Sequence, residues 1–592
     1  MKNVKKIKAK RKVEVQTQKG ITLLVLVVTI IVLLILAGTT IGAITGENGI
    51  IKNARESKEQ TEIANEKEIL EKATVEAMGK NKYGNIEESE LQNALNQETG
   101  DGKTEAVDVG EEFEVLFKES NRYYTVDKDG NVGEMQEYVE DKYPGDITVG
   151  KDGEKLDGQS KETAYQIWCI EDLIEWSQNW SKYSYSYINL CRTLNFQSKL
   201  SYANSESKEY GDINKDEEIE TLIEEMQKGI GFTPIFTFEG TFDGEYNGKD
   251  CEIKNVYINS SDKAGLILTG QNTTVKNINI SGEIIGKDIV AGIISGDHVS
   301  RGITIINCKN YAKLKGNIMV GGMCSWGSDI NIQDCENYGK IYVESVDYAY
   351  GGASGIIAYT TSGTIQNCRN SGEIYGNYIC GGIVGTGENI DIKNCSNSGK
   401  IHSIGNYSSG GIIGKHRGGT MNIINCFNNA NIGEESDGYA GGIVGEYIGV
   451  SYTEDRVLNV YNCYNTGKVV SKNYCGGILG MQGLVSLTMK LNIENCYSIG
   501  EIQGRYPGGI VGRLTDSDYR TTVTSSIKNT YWLTSSSSKA INTGNCTNEE
   551  EIESYELSYI KSESFCNVLN SNIGQNTEWK IWRLGEDGYP TF

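Results

Sequence analysis

Seven cysteines, at 308, 335, 368, 395, 426, 463 and 496, recur with gaps of 27, 33, 27, 31, 37 and 33 residues. Thiols in such number can ligate a soft metal, form disulfides or act as nucleophiles. Metal binding is not expected, because no Cys-x-x-Cys pair exists and Cys475-Gly-Gly reads as a glycine turn. The total of 15 Cys is odd, and seven repeating positions cannot all pair among themselves, so mostly free, buried thiols are expected. Hydrolytic chemistry has little to work with. The 3 histidines, His298, His402 and His416, lie in separate segments, and there is no His-Glu-x-x-His or Gly-x-Ser-x-Gly. Asp329 and Asp391 begin near-equivalent segments and are the available carboxylates for a lyase- or hydrolase-like site, although a repeat places acids in rows by default. Asp212, Asn214 and Asp216 have the opening spacing of a calcium loop. Glu217 stands where that loop needs Gly, and Ile223 stands where it needs Glu, so a solvated acidic loop is expected. No catalytic residue and no cofactor are expected.

The elements that position these residues are repeats. Ile-x-Asn-Cys occurs at 365–368, 392–395, 423–426 and 493–496, with close variants ending at Cys335 and Cys463. Gly-Gly-Ile-Val-Gly occurs at 381–385, 441–445 and 508–512, with variants at 291–295, 321–325, 410–414 and 476–480, and Gly-Lys/Glu-Ile forms a third piece. Each unit offers three short β-like segments separated by Gly or Asn turns. The fold class that follows is mainly β: a right-handed parallel β-helix of about nine coils, rising roughly 4.8 Å per coil. Two residues between Ile and Cys break strand alternation, so the chain must bend there if both face inward. Asn tolerates the left-handed conformation of such a bend. Asn307, Asn367, Asn394, Asn425, Asn462 and Asn495 are therefore expected to stack into a hydrogen-bonded ladder, with Cys308, Cys335, Cys368, Cys395, Cys426, Cys463 and Cys496 stacked beside it.

This pattern resembles the GLUG repeat of bacterial surface adhesins, which also occurs beside the protease domain of some immunoglobulin-cleaving enzymes. The resemblance implies an extracellular, non-catalytic display surface over residues 250–545. Phe238-Glu-Gly-Thr-Phe-Asp-Gly resembles the N-terminal cap of such proteins, which sets 164–249 as a cap. Phe565–Asn570, Trp579 and Gly588-Tyr-Pro resemble their closing segment, which sets 546–592 as a cap over the last coil.

Before the repeats, Gly20–Ile44 is an uncharged run after Ile21, long enough as a helix to cross a bilayer. The tail before it carries seven Lys and one Arg against Glu14, which places the tail in the cytoplasm and the rest outside. Lys19-Gly20-Ile21-Thr22-Leu23-Leu24 resembles the cleavage junction of type IV prepilins and pseudopilins, a likeness shared with type II secretion components. It implies a leader of residues 1–20, cleavage by a prepilin peptidase between Gly20 and Ile21, and N-methylation of Ile21. Val25 occupies the position where the family usually carries a filament-contacting Glu, which argues against a major filament subunit. By the same resemblance, 21–78 is a transmembrane-then-amphipathic pilin-like α-helix, followed by a small α/β head whose strands fall in 79–138. Residues 139–163 read as a linker.

Composition agrees with an exported chain. Formal net charge is −23 over 592 residues, and residues 1–20 contribute +7, so an acidic surface remains that disfavours nucleic acid. Tyr is 35 against Phe 10, and Tyr342, Tyr348, Tyr350, Tyr375, Tyr378, Tyr407 and Tyr439 are expected in variable loops, where they would stack on sugars, pack on proteins or cover strand edges. The expected function is a membrane-anchored or pilus-associated adhesin-like protein of the bacterial surface. Its partners would be the membrane, other pilin-like subunits and an extracellular glycan or protein. The alternatives are a β-helix carbohydrate-active enzyme and a purely structural surface component.

Overall fold

The computed structural model describes residues 50–592 except 81–85, 109–111, 119, 121, 134–135, 138–145, 151–152, 197–230, 247, 345–351, 404–406, 434–437, 449–454, 484–487, 518–521 and 548–550. Gly20, Ile21 and Val25, and likewise Asp212, Asn214 and Asp216, lie outside the described residues. No helix among the described residues is long and apolar enough to cross a membrane. The chain forms two compact units. One gathers the chain up to Ala106 with Val115–Glu137, and the other gathers Val107–Glu114 with the chain from Tyr138 onward.

In the first unit, α1 (Ile50–Lys80) is Glu- and Lys-rich with a sparse apolar stripe. It buries Leu70, Ala73 and Ala77. A second helix, α2 (Glu88–Thr99), buries Leu91, Ala94 and Leu95. The sequence led to a small α/β head but placed only its strands, because three apolar residues in twelve barely mark a helix face. Four short strands follow in sheet order first to fourth. Glu66 of α1 accepts from Tyr124 Oη at 2.8 Å and from Arg122 at 3.1 Å. This buried charge is thus paired and hydrogen-bonded, as burial of a carboxylate requires.

The second unit is a parallel β-solenoid of about 9 turns. Sheet 1 holds the strands that run into each Asn-Cys pair, such as Ile357–Gln366 and Val384–Lys393. Sheet 2 holds the strands that follow Cys, such as Glu336–Asn337 and Ile341–Val343. Sheet 3 is eight-stranded among the described residues, from Ile289–Ala291 to Tyr506–Gly508. The strand pairings from one solenoid coil to the next are parallel and in register: Ile332, Ile365, Ile392, Ile423, Val460 and Ile493 succeed one another as direct partners. One apolar core runs continuously from Ile147 to Ile552.

The repeat motifs have direct physical causes. In Ile-x-Asn-Cys both Ile and Cys are fully buried, and Asn turns the corner between sheets 1 and 2. Asn367, Asn394, Asn425, Asn462 and Asn495 have φ of 53–56°. The glycines of Gly-Gly-Ile-Val-Gly answer to close approach between coils. A Cβ on Gly382 would meet the Gly411 carbonyl oxygen and lie 2.5 Å from Asn397 Cγ, and one on Gly385 would lie 2.5 Å from the Ala358 carbonyl oxygen. Neighbouring backbones fill the space a side chain would need.

The corner asparagines bond along the axis. Asn495 donates to Asn462 at 2.7 Å, Asn462 to Asn425 at 2.8 Å, Asn425 to Asn394 and Asn394 to Asn367 at 3.1 Å, and Asn367 to Asp334 at 2.9 Å. Asn307 donates to Asn277 at 2.8 Å, and Asn277 to Asp243 at 2.8 Å. Every bond of this outer ladder points to the preceding coil. A second ladder runs inside sheet 2. Asn310, Asn337, Asn370, Asn397 and Asn428 are fully buried, and each donates to the amide of the following coil at 2.7 Å, ending on Asn465.

The seven repeat cysteines are fully buried beside these ladders, and none of the seven is in a disulfide. Burial pushes Cys324 and Cys380 up to about 12, and raises Cys335, Cys395 and Cys463 well above the ordinary thiol value. Burial also raises Cys368 and Cys426, but hydrogen bonds from the neighbouring repeat thiols bring both below the ordinary value, so for these two it is the lack of access that protects the sulfur. Native protein at pH 8 is expected to label rapidly at no more than about one thiol, Cys546 being the half-buried one, and at all fifteen after denaturation. Mass spectrometry after a short iodoacetamide pulse checks this.

Both ends of the solenoid are built from its flanking chain. Helix α3 (Ile170–Gln178) places fully buried Trp176 against Phe238 and Phe242 at 5.0 and 4.9 Å. Ser186–Leu190 already pairs in parallel with Ile235–Asp243, so the first coil begins inside 164–249. At the other end, α4 (Glu563–Ile573) and the residues after it turn back along the outer flank of sheet 2 and do not simply cover the last coil. Asn425 and Asn462 donate to the carbonyls of Glu578 and Lys580 at 2.8 and 3.0 Å, and Trp582 Nε1 donates to Asn462 at 2.7 Å.

Candidate recognition face

Sheet 2 strands alternate inward and outward, so each outward position forms a column along the solenoid. One column reads Glu252, Asn279, Lys309, Glu336, Arg369, Ser396, then Phe427, Tyr464, Tyr497 and Tyr531. The change from polar to aromatic at Phe427 coincides with the C-terminal segment. Phe427, Tyr464 and Tyr497 stack at 4.8 and 5.2 Å, and Trp582, Phe565 and Phe592 pack over them. The later coils of sheet 2 are thus covered by the chain itself.

On the earlier coils one aromatic stack stays open and a second is half-buried. Tyr311 and Tyr338 lie 4.9 Å apart with planes 4° from parallel, and they are 46% and 42% exposed. Tyr342, Tyr375 and His402 form a second stack at 4.9 and 4.2 Å, with planes within 8° of parallel. A charged column separates the two, with Lys313 on Glu283 and Lys340 on Glu373, each at 3.1 Å. Stacked rings at the coil spacing follow from register: identical positions of successive strands bring rings into contact at little conformational cost.

The side chains singled out in the sequence fall into different places. Tyr342 and Tyr375 sit on strands, not in loops, and Tyr439 opens a sheet 3 strand. Tyr378 and Tyr407 pair at 3.8 Å, and Tyr378 is buried. Tyr348 and Tyr350 lie outside the described residues. Asp329 and Asp391 do not share a row: Asp329 bonds to Ser362, whose partner is Asn389, whereas Asp391 aligns with Thr364. Tyr311 and Tyr338 were missed, although each follows the repeated Asn directly, and that spacing is the signal that would have found them.

The histidines are apart as well. His298 lies beside Trp326, His402 on Tyr375, and His416 on Tyr447 at 5.0 Å. Among the described residues no group of His, Cys, Asp and Glu is arranged to hold a metal. His416 is fully buried, with Nε2 2.8 Å from the Gly418 carbonyl, so Nε2 carries the proton and Nδ1 does not. Burial, aided by the Arg456 charge, lowers its pKa to about 4. The unfolded chain takes up that proton near pH 6.5 and the folded one only near 4. Stability from this residue is therefore whole above about pH 6.5 and falls as the pH drops toward 4, by about 3 kcal/mol in all. In His416→Gln this part of the slope of melting temperature against pH is expected to disappear, as thermal unfolding between pH 7 and 4 will show.

No family model matches the sequence, and no curated protein matches it. A solved structure described as a "putative immunoglobulin A1 protease" from Bacteroides ovatus aligns with 76% of this chain and 99% of its own, at 16% identity and a TM-score of 0.26. A likeness at this level says nothing about activity.

Proposed function

We propose that the chain is a non-enzymatic binding protein displayed outside a bacterial cell, with the early coils of sheet 2 as its recognition face. The observation that carries this reading is the contrast along one sheet. Aromatic rings on the later coils are covered by the C-terminal segment, while Tyr311 and Tyr338 on the earlier coils are left in the open beside a column of charge, with half-buried Tyr342 and Tyr375 on its other side. Exposed large apolar groups grouped on a rigid scaffold are the usual mark of an interaction surface. The acidic balance and the prepilin-like junction at Gly20 and Ile21 support display at the surface, on a membrane anchor or in a pilus-like assembly.

Brief protease shaving of intact cells tests display. Peptides from 250–545 are expected in the shaved fraction, and their release only after lysis would end this reading. Mass spectrometry of the mature N-terminus tests the processing. N-methylated Ile21 is the expected terminus, and an intact Met1–Gly20 leader on all copies would leave a plain anchor in place of a pilin-like subunit.

A further inference from the structure

The Tyr311–Tyr338 stack stops short at its N-terminal side. Register carries the column from Tyr338 through Tyr311 to Ser281, because Asn337, Asn310 and Ile280 are successive partners. Where a third ring would continue the stack there is only a serine hydroxyl, which accepts a hydrogen bond from the Asn255 backbone N–H at 3.2 Å. The space is a notch of about 220 Å³ lined by Glu252, Ile253, Asn279, Ile280, Ser281 and Tyr311. Tyr311 and Tyr338 lie 4.9 Å apart, so one further ring at that spacing would continue the stack into the notch. Pockets for drug-sized ligands run from about 300 Å³ upward, so this one suits a single ring.

We propose that this notch binds one pyranose unit of a neutral or amino-bearing glycan, with the sugar ring lying on the free face of Tyr311 as the next member of the stack. The site deepens the recognition reading above and rests on it. Three features select a sugar. The wall opposite an apolar floor is polar: the Glu252 carboxylate accepts from Asn279 Nδ2 at a long 3.4 Å, which leaves both side chains with capacity for vicinal hydroxyls. Lys254 Nζ sits 3.5 Å from Glu252 Oε2, which adds a cationic donor beside the polar wall. The tyrosine face presents a flat apolar surface to the axial C–H groups of a pyranose, and it is already held in place by Tyr338 behind it. An anionic glycan is disfavoured by Glu252 and by the chain's net charge of −23.

The test uses the full chain and a panel of hexasaccharides (cello-, chito-, manno- and the anionic oligogalacturonate), with binding followed by calorimetry and by tyrosine fluorescence. At least one neutral or amino-sugar oligomer is expected to bind, and oligogalacturonate is not. Two variants act in opposite ways on the notch. Tyr311→Ala removes the floor, and Ser281→Tyr fills the space with the missing third ring while leaving Tyr311 in position. Each is expected to weaken binding at least tenfold with an unchanged far-ultraviolet circular dichroism spectrum and melting curve. Failure of the whole panel to bind, or binding by Ser281→Tyr as tight as by the natural chain, overturns the proposal. So does displacement of a bound probe by a tyrosine- or tryptophan-containing peptide but by no saccharide, which would assign the notch to a protein side chain. Display of 250–545 on shaved cells is independent of these outcomes, so a failed notch and a failed surface reading are told apart.

Discussion

Replacing Asn397 with Leu is expected to destabilise the solenoid by about 4 kcal/mol, although the new side chain is apolar and of similar size. Asn397 is fully buried, accepts from Asn370 and donates to Asn428, both at 2.7 Å. Leucine leaves one N–H of the Asn370 amide unbonded and the Asn428 oxygen with only the long 3.3 Å bond from the Ala430 N–H, and each loss at a buried group costs about 1–3 kcal/mol. The damage should be local, since in a solenoid each coil contacts mainly its neighbours. Hydrogen exchange is therefore expected to lose protection first between residues 370 and 428, ahead of coils at either end. Uniform loss along the solenoid, or a melting temperature within about 1 °C of the natural chain, would mean that the inner ladder is decoration.

Trp582→Ala is expected to free the C-terminal segment from sheet 2 while the coils stay folded. Trp582 is 2% exposed, bonds to Asn462 through Nε1 and packs on Tyr464, Tyr497 and Phe592. Truncation of a buried tryptophan costs about 3–5 kcal/mol. The column Phe427, Tyr464, Tyr497 and Tyr531 would then be open to solvent, giving an apolar strip where the natural chain has none. Faster tryptic cleavage after Lys561 and Lys580, a rise in binding of a hydrophobic dye and concentration-dependent association are the expected readouts. Retained resistance to trypsin at both lysines would show that the segment is held by something other than this tryptophan.

These two residues also mark where reading the sequence succeeds and where it stops. The Ile-x-Asn-Cys spacing violates strand alternation, so it betrays the bend, the inward Cys and the corner Asn without any coordinates. The inner ladder was not seen. Asn310, Asn337 and Asn370 stand two residues after Cys, at positions whose period faces the core, and a polar residue there reads as a turn. The recurrence of Cys-x-Asn was the available signal. The path of the C-terminal segment was not legible at all, since Trp582 meets Asn462 across 120 residues and no local pattern encodes that. Tyr311 and Tyr338 became a candidate site only when register showed the two rings in contact and a serine next in line.

The two asparagine ladders run with opposite polarity, and this bears on how such a chain can change length. A row of amides bonded head to tail is a line of aligned dipoles, much like the peptide groups of a helix. The outer row has its positive end toward the first coil and the inner row toward the last, so their axial fields largely cancel. Each outer segment also starts on a carboxylate, Asp243 in one case and Asp334 in the other, as an acidic residue starts a helix. Asp334 has no hydrogen to offer Asn307, so the outer row is interrupted there while the inner row crosses from Asn310 to Asn337 unbroken. A block of coils that opens on Asp carries its own electrostatic terminus. Adding or removing such a block whole leaves each remaining outer row still starting on its own carboxylate, so the number of coils can change without orphaning a ladder end.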